Sequence, residues 1–430
     1  MSLHQGLLKS SVLQTLMIAS SSVCALISYA VMGRSYGPET LGQALFWIAA
    51  ARIYLSAMDF GAVVILRRDL ATIGAIGKRR QYKAAFQMRF VSLALGLGLT
   101  AAFFLTAPSL GFERSIALSV YSYIGVRSLL DLGIVLSIAK FDFVWPAALV
   151  VTTEIVGLAV IAGSAHFGIP LAEAYWWLCA VALGGTWAIL RVSWLRYGYR
   201  LSLRPDLTGM HLMVRRGFAA GAYVLCLMIL QKFDSTVLGL LSGRSAVALY
   251  GASANIATGA RLLPAAIGQG SMSTVSRAFS RFDPHISRLL GLIYATTLAS
   301  GIGVALVCYL MADSIIILIF GDQFRGAISC LKTLALAIPF GYFNIVSWLV
   351  CVAIHRDRLP SLIIAVGALI NIALNVALIP RFHQEGAAEA ACATEIIVSC
   401  AYVFMLVRYA RGLRHRTEGT IRGVDPLSIR

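Results

Sequence analysis

Four cations stand deep inside long apolar runs of the chain: Arg52, Arg127, Lys232 and Arg261. Asp59, Asp131, Glu154, Asp234 and Glu395 share those runs. An arginine presents a planar fork of N–H donors that matches phosphate oxygens, so several cations in one interior suit an anionic ligand, a diphosphate above all. A charge at bilayer depth costs roughly 2.5–3.5 kcal/mol on insertion scales, and the whole set left uncompensated would cost on the order of 20 kcal/mol. The helices that carry it must therefore enclose a polar or aqueous interior. Acids in such interiors relay protons or bind sodium. Asp59, Glu154 and Asp234 are the candidates for ion coupling, with pairing to the cations as the alternative.

Spacing narrows the pairings. Arg127 and Asp131 are four apart on one helix face, which fits either a neutral structural pair or a ligand-facing arginine. Arg52 and Asp59 are seven apart, two turns along one face, too far to meet directly. Lys232 and Asp234, two apart, point to different sides. Arg261 has no acid within seven positions, so its partner comes from another helix or from a ligand. Arg89 and Lys332 lie nearer helix ends, where long side chains snorkel to the surface. Pro264 and Pro339 fall within spans as kinks or hinges, and Asn371 and Asn375 share a face suited to joining helices.

The chain shows no P-loop, nucleophile elbow, dinucleotide fingerprint or HExxH, and none of its eight cysteines forms a CxxC pair. No cofactor, metal centre or ATP-hydrolysing site is implied, so transport must draw on an ion or substrate gradient.

The elements that position these residues are membrane spans. Of 430 residues, 59% are hydrophobic and only 13% charged, and the mean hydropathy is +0.81; a soluble domain needs about twice that charged share. Twelve apolar runs lie near 11–33, 41–66, 84–106, 115–139, 143–164, 170–190, 217–240, 246–272, 289–311, 327–354, 361–380 and 387–408. Each approaches the roughly 20 residues a helix needs to cross a bilayer. The first is longer than a signal-peptide core and reads as a span. The expected fold is an all-α polytopic membrane protein of about twelve transmembrane helices in two six-helix bundles around a central cavity.

The formal charge of +17 does not point to nucleic acid, because the cations sit in loops on alternate sides of the runs. One side carries Arg67, Arg68, Lys78–Lys83, Arg191–Arg216, Arg277, Arg281, Arg288, Arg356, Arg358 and the tail from Arg408 to Arg430. The other carries only Arg34, Arg114, Arg244, Arg325 and Arg381, an imbalance of about five to one. By the positive-inside rule both termini are cytoplasmic. The polar tract at 191–216 divides the chain into an N-terminal bundle (1–190), a cytoplasmic basic linker (191–216), a C-terminal bundle (217–408) and a basic tail (409–430). Val31, Gly33 and Gly37 recur as Val237, Gly239 and Gly243, each 206 residues later, which agrees with a duplicated half.

The stretch Gly33–Ala62, with Gly37-Pro38-Glu39, Gly42 and Asp59-Phe60-Gly61, resembles the opening of the polysaccharide-transport family, which includes the bacterial O-antigen flippases. Lys232–Ser253, with Asp234, Gly239, Ala248 and Tyr250, is similar to that family's seventh-to-eighth span segment, although members usually carry Gly where Ala248 stands. Leu318–Ala327 and Asn371–Glu395, with Pro380 and Gly386, extend the resemblance over nearly the whole chain. It implies a member of the multidrug/oligosaccharidyl-lipid/polysaccharide exporter (MOP) superfamily in the bacterial inner membrane. The cargo it implies is a polyprenyl-pyrophosphate-linked oligosaccharide, flipped from the cytoplasmic to the periplasmic leaflet; the resemblance fixes neither the sugar nor the coupling, for which proton antiport by alternating access is the expectation. A polysaccharide polymerase and a chain-length regulator are the implied partners, besides membrane lipid. On this expectation Arg52, Arg127, Lys232 and Arg261 bind the pyrophosphate and sugars.

Three other functions compete: a cation-coupled multidrug antiporter, a lipid II flippase and a membrane glycan polymerase. Mid-membrane cations would repel cationic drugs. Outer loops of about 15 residues at most leave little room for a polymerase site.

Overall fold

The computed structural model describes residues 3–66, 75–106, 111–139, 143–198, 206–280, 285–353 and 358–422. Its helices, in chain order, are α1 (Leu3–Asp59), α2 (Ala75–Thr106), α3 (Arg114–Ala139), α4 (Val144–His166), α5 (Leu171–Tyr197) and α6 (Leu207–Leu241). They continue with α7 (Arg244–Ala260), α8 (Leu262–Ser280), α9 (Ile286–Leu310), α10 (Ala312–Phe320), α11 (Ala327–Ala353) and α12 (Arg358–Arg422). Nine membrane-length apolar helices occur among the described residues. Two of them, α1 and α12, are each broken into two arms, at Gly37 and His383, and α7 with α8 forms one further interrupted span. The protein is thus an all-α, multi-pass membrane protein of twelve crossings in two six-helix bundles.

The breaks follow from backbone chemistry. Gly37 (φ 81°, ψ 170°) and Gly243 (φ 86°, ψ 176°) adopt the same conformation, one that side chains essentially exclude. The 206-residue sequence repeat is therefore also a repeat of turn geometry. Gly321 (φ 91°, ψ 173°), which the sequence repeat does not include, makes a third such turn after α10. These three turns share one end of the molecule, here termed the corner end; the opposite end carries most of the basic residues. In α12, a Cβ at Gly386 would lie 2.6 Å from the Leu378 carbonyl oxygen, so the two arms can close on each other only over glycine.

Several expected boundaries move. The span at 246–272 is interrupted at Arg261, and α10 is a short extra helix. The helices also run past the ends drawn from the charge pattern: α5 continues to Tyr197 and α6 begins at Leu207. Arg191, Arg196, Arg215 and Arg216 of the linker thus lie on helix ends. Apolar spans can be extended by amphipathic turns at the membrane surface, which hydropathy alone does not detect. The remainder of the linker (199–205) lies outside the described residues, as do Arg67, Arg68, Arg281, Arg356 and the last eight residues of the tail.

The largest apolar core lies toward the corner end, where Leu41, Phe46 and Trp47 of α1 meet Val247 of α7, Phe320 at the end of α10 and Phe324 just after it. Phe46 stacks on Phe112 at 4.5 Å. The bundles meet closely there: a Cβ on Gly42 would sit 1.8 Å from the Arg244 carbonyl oxygen, so the backbones touch. Toward the basic end the same role falls to Gly217 and Gly221 of α6, whose Cβ positions would lie 2.2 and 2.5 Å from the backbone of Phe60.

Candidate functional site

At mid-depth in the N-terminal half, α1, α3, α4 and α5 enclose a cavity of about 300 Å³. Ser21, Tyr29, Arg52, Tyr123, Arg127 and Glu154 are among its lining residues. The charges that spacing alone left ambiguous resolve as follows. Arg127 donates to Glu154 (Nη2–Oε1 2.6 Å) and lies 3.6 Å from Asp131, so it holds two acids. Ser21 Oγ donates to the same Glu154 oxygen at 2.8 Å. The pair is well shielded, with side chains 17% and 15% exposed, and its local charge is satisfied within the bundle.

Asp59 meets Arg89 at 2.8 Å, both well buried, and also receives the Val63 N–H at 3.4 Å. Arg89 was expected to snorkel; instead it is turned inward by an acid on the neighbouring helix, a cross-helix pairing that spacing within one helix does not reveal. Asp59 thereby braces the turn at Phe60 (φ 46°) and Gly61 (φ 73°) that ends α1. Lys332 also has a partner, Asp313 at 3.2 Å, rather than only a free run to the surface.

In the C-terminal half, Asp234 is buried and accepts a short hydrogen bond from the Tyr250 hydroxyl. Arg261 occupies the break between α7 and α8. Pro264 lacks an N–H, which leaves the Ala260 carbonyl without its helical donor; the Tyr342 hydroxyl of α11 supplies one at 2.6 Å. Arg261 reaches Glu395 of α12 (Nη2–Oε1 2.6 Å), which is the partner from elsewhere that its sequence neighbourhood required. Asn371 and Asn375 are buried; Asn375 donates to Asn371, and Asn371 to Thr394 at 3.3 Å, joining the two arms of α12.

Of the four mid-span cations, two keep no acid within ion-pair distance among the described residues: Arg52, exposed on α1, and Lys232, half-buried on α6. They come from opposite halves. Lys232 is nevertheless near enough to Arg52, Arg261 and Asp234 to feel all three charges. Arg52 likewise acts on Tyr29 and Tyr123 in the N-half cavity. Cations and acids of both halves thus act on one polar region, with tyrosine and serine hydroxyls on its N-terminal wall. The sequence had named its cations, and Tyr250 through the resemblance, but not the hydroxyl lining of Ser21, Tyr29 and Tyr123, because single polar residues in apolar helices carry no spacing signal.

At the corner end, side chains cross between the halves. Arg34 donates to the carbonyls of Ile317, Leu318 and Ile319 at the end of α10, with Nε–Ile319 O at 3.0 Å. Arg244 reaches back to Glu39 at 3.2 Å and to the Gly111 carbonyl at 2.9 Å. Gln323 donates to Gly33 O at 2.6 Å. Toward the basic end, Arg80 of α2 holds Asp206 (2.9 Å), which also caps α6 by accepting from Gly209 N at 2.8 Å. The Arg80 guanidinium and that N–H hold the Asp206 carboxyl below the usual aspartate range.

Solved structures share this duplicated six-helix architecture. The chain superposes on a structure titled lipid II flippase MurJ in an inward closed conformation, with TM-score 0.75 and 14% identity over 91% of this chain and 87% of that one. It also matches the Vibrio cholerae MATE transporter VcmN (TM-score 0.64, 15% identity, 96% of this chain and 98% of that one). A third match is a MOP-superfamily transporter from Pyrococcus furiosus described as having a binding pocket of reverse polarity (TM-score 0.58, 15% identity, 93% of each chain). No protein-family model matches, and no curated protein matches the sequence significantly. The fold is that of the MOP transporters.

Proposed function

We propose that this protein is a flippase that carries a polyprenyl-pyrophosphate-linked oligosaccharide, an O-antigen, capsule or exopolysaccharide repeat unit, from the cytoplasmic to the periplasmic leaflet of a bacterial inner membrane. The observation that carries this reading is the pair of unpaired cations, Arg52 and Lys232, presented from opposite halves into one region. Holding unpaired charges at this depth is costly, and an anionic head group gives both a partner. The lipid tail stays in the bilayer while the head group and sugars pass through the polar interior. Tyr29, Tyr123 and Ser21 offer the hydroxyls and ring faces that sugars use. Arg127, already holding Glu154 and Asp131, frames the wall of that interior, and Arg261, held by Glu395, stands beside it.

Alternating access then means exchange between the two sets of inter-half contacts: Arg34, Arg244 and Gln323 at the corner end, and α6 against α1 and α2 at the basic end. The basic loop charges favour a cytoplasmic basic end with both termini on the same side. Asp234, buried beneath Tyr250, is the best placed of the three coupling candidates, because Asp59 and Glu154 are each taken by an arginine. A polymerase and a chain-length regulator would receive the flipped unit.

Lipid II is the second reading, favoured by the structural match to a lipid II flippase. A multidrug antiporter is disfavoured because unpaired cations repel cationic compounds. Depleting the protein in its host and extracting polyprenyl-linked sugars separates these readings. Accumulation of one lipid-linked unit with loss of surface polysaccharide supports the flippase, and mass spectrometry of that unit distinguishes a repeat unit from lipid II. Level lipid-linked sugars with reduced drug efflux would overturn it.

A further inference from the structure

We propose that Glu395 is an internal counter-anion: it occupies Arg261 while the cavity is empty and yields it to the diphosphate of the cargo. This rests on the cargo class proposed above. The two arginine–glutamate pairs of the interior share a 2.6 Å contact but differ in everything around it. Arg127 lies on an unbroken helix, holds a second acid and is 17% exposed. Arg261 lies at a helix break, holds one acid and is 39% exposed, so a ligand can reach its guanidinium.

Glu395 is the fixed partner. Asn344 Nδ2 donates to its other oxygen at 2.7 Å and to its backbone carbonyl at 3.1 Å. Ser399 Oγ in turn donates to Asn344 Oδ1 at 2.8 Å, which orients the amide. These neutral donors sustain the carboxylate when the arginine leaves. Arg261 is the mobile partner, since Pro264 removes one rung of the helical ladder and the Tyr342–Ala260 bond holds the break open without tying down the arginine side chain. Lys232 and Asp234 are the other charges that act on Arg261. Release of Arg261 from Glu395 makes its guanidinium available to the same anion as the unpaired cations. Glu395 is a positioning residue: it lowers affinity for an anion in the empty state and recaptures Arg261 after the cargo departs.

The test is inorganic pyrophosphate binding to the purified full-length protein, read by calorimetry. Removing one negative charge beside the site is worth about tenfold in affinity at the effective dielectric of a partly hydrated interior. Glu395→Gln should therefore bind pyrophosphate about tenfold more tightly than wild type, and the further change Arg261→Ala should erase the gain. A purely structural role would give weaker binding instead. Glu395→Asp, which keeps the charge but is one methylene too short for the 2.6 Å contact, should tighten binding about threefold, and serves if the glutamine variant fails to accumulate. Unchanged or weaker binding in the accumulating variant overturns the proposal while leaving the flippase reading intact. Absence of pyrophosphate binding by the wild type overturns both.

Discussion

The two halves of this molecule repeat a turn but not a charge plan. Gly37 and Gly243 share φ and ψ to within a few degrees, and each lets its helix reverse at the corner end. At mid-depth the halves diverge. The N-terminal half locks its buried arginine between two acids on unbroken helices. The C-terminal half places its arginine at an interrupted helix, with one acid and an open approach. Each then contributes one cation without an acid, Arg52 and Lys232. Duplication preserved what the backbone requires. Divergence gave one half a rigid wall and the other a movable charge.

That contrast can be broken by mutation. Glu154→Leu leaves Arg127 with only a 3.6 Å contact to Asp131, and stranding a shielded charge costs about 3–5 kcal/mol. The expected result is a large fall in thermal stability in detergent, largely recovered in Arg127→Met/Glu154→Leu. Glu395→Leu strands a more exposed arginine, so its loss should be less than half as large; equal losses would erase the distinction between the halves.

Next in size are the glycine contacts. Gly42→Ala and Gly217→Ala would each put a methyl within 1.8 and 2.2 Å of a backbone oxygen in the other half, costing about 2–3 kcal/mol. Gly259→Ala near the α7 break meets open space and should change stability by less than about 1 kcal/mol. Denaturation midpoints followed by tryptophan fluorescence rank the three.

The smallest effect concerns pH. The Asp206 carboxyl lies below its usual range when folded, so its contribution is fully present above the unfolded value near 4 and is lost as pH falls through the folded one. The stability difference between wild type and Asp206→Asn should be present at pH 7 and shrink progressively below pH 4. A difference that persists unchanged in strong acid would show that capping by Asp206 does not depend on its charge.

The sequence made the membrane spans legible because each helix must satisfy its backbone within hydrocarbon, and that demands long apolar runs. The Gly37–Gly243 repeat was legible because only glycine fits the turn. The unpaired state of Arg52 was half legible: its spacing to Asp59 excluded a direct pair, but nothing in the sequence placed Arg89 beside that acid. Glu395 stood out as a mid-span acid, yet its meeting with Arg261, 134 residues away, is a property of packing between helices. The break at Arg261 was visible only as Pro264, whose consequence depended on a hydroxyl from α11.

The most direct test of the central claim is a double-mutant cycle on Arg52 and Lys232, with pyrophosphate affinity measured for wild type, Arg52→Ala, Lys232→Ala and the double variant. If cations from opposite halves hold one anion, each single change should weaken binding by roughly tenfold or more, and the two effects should be coupled rather than additive. Affinity unchanged in either single variant would contradict the account, and Arg52 and Lys232 would then be charges that serve no common ligand.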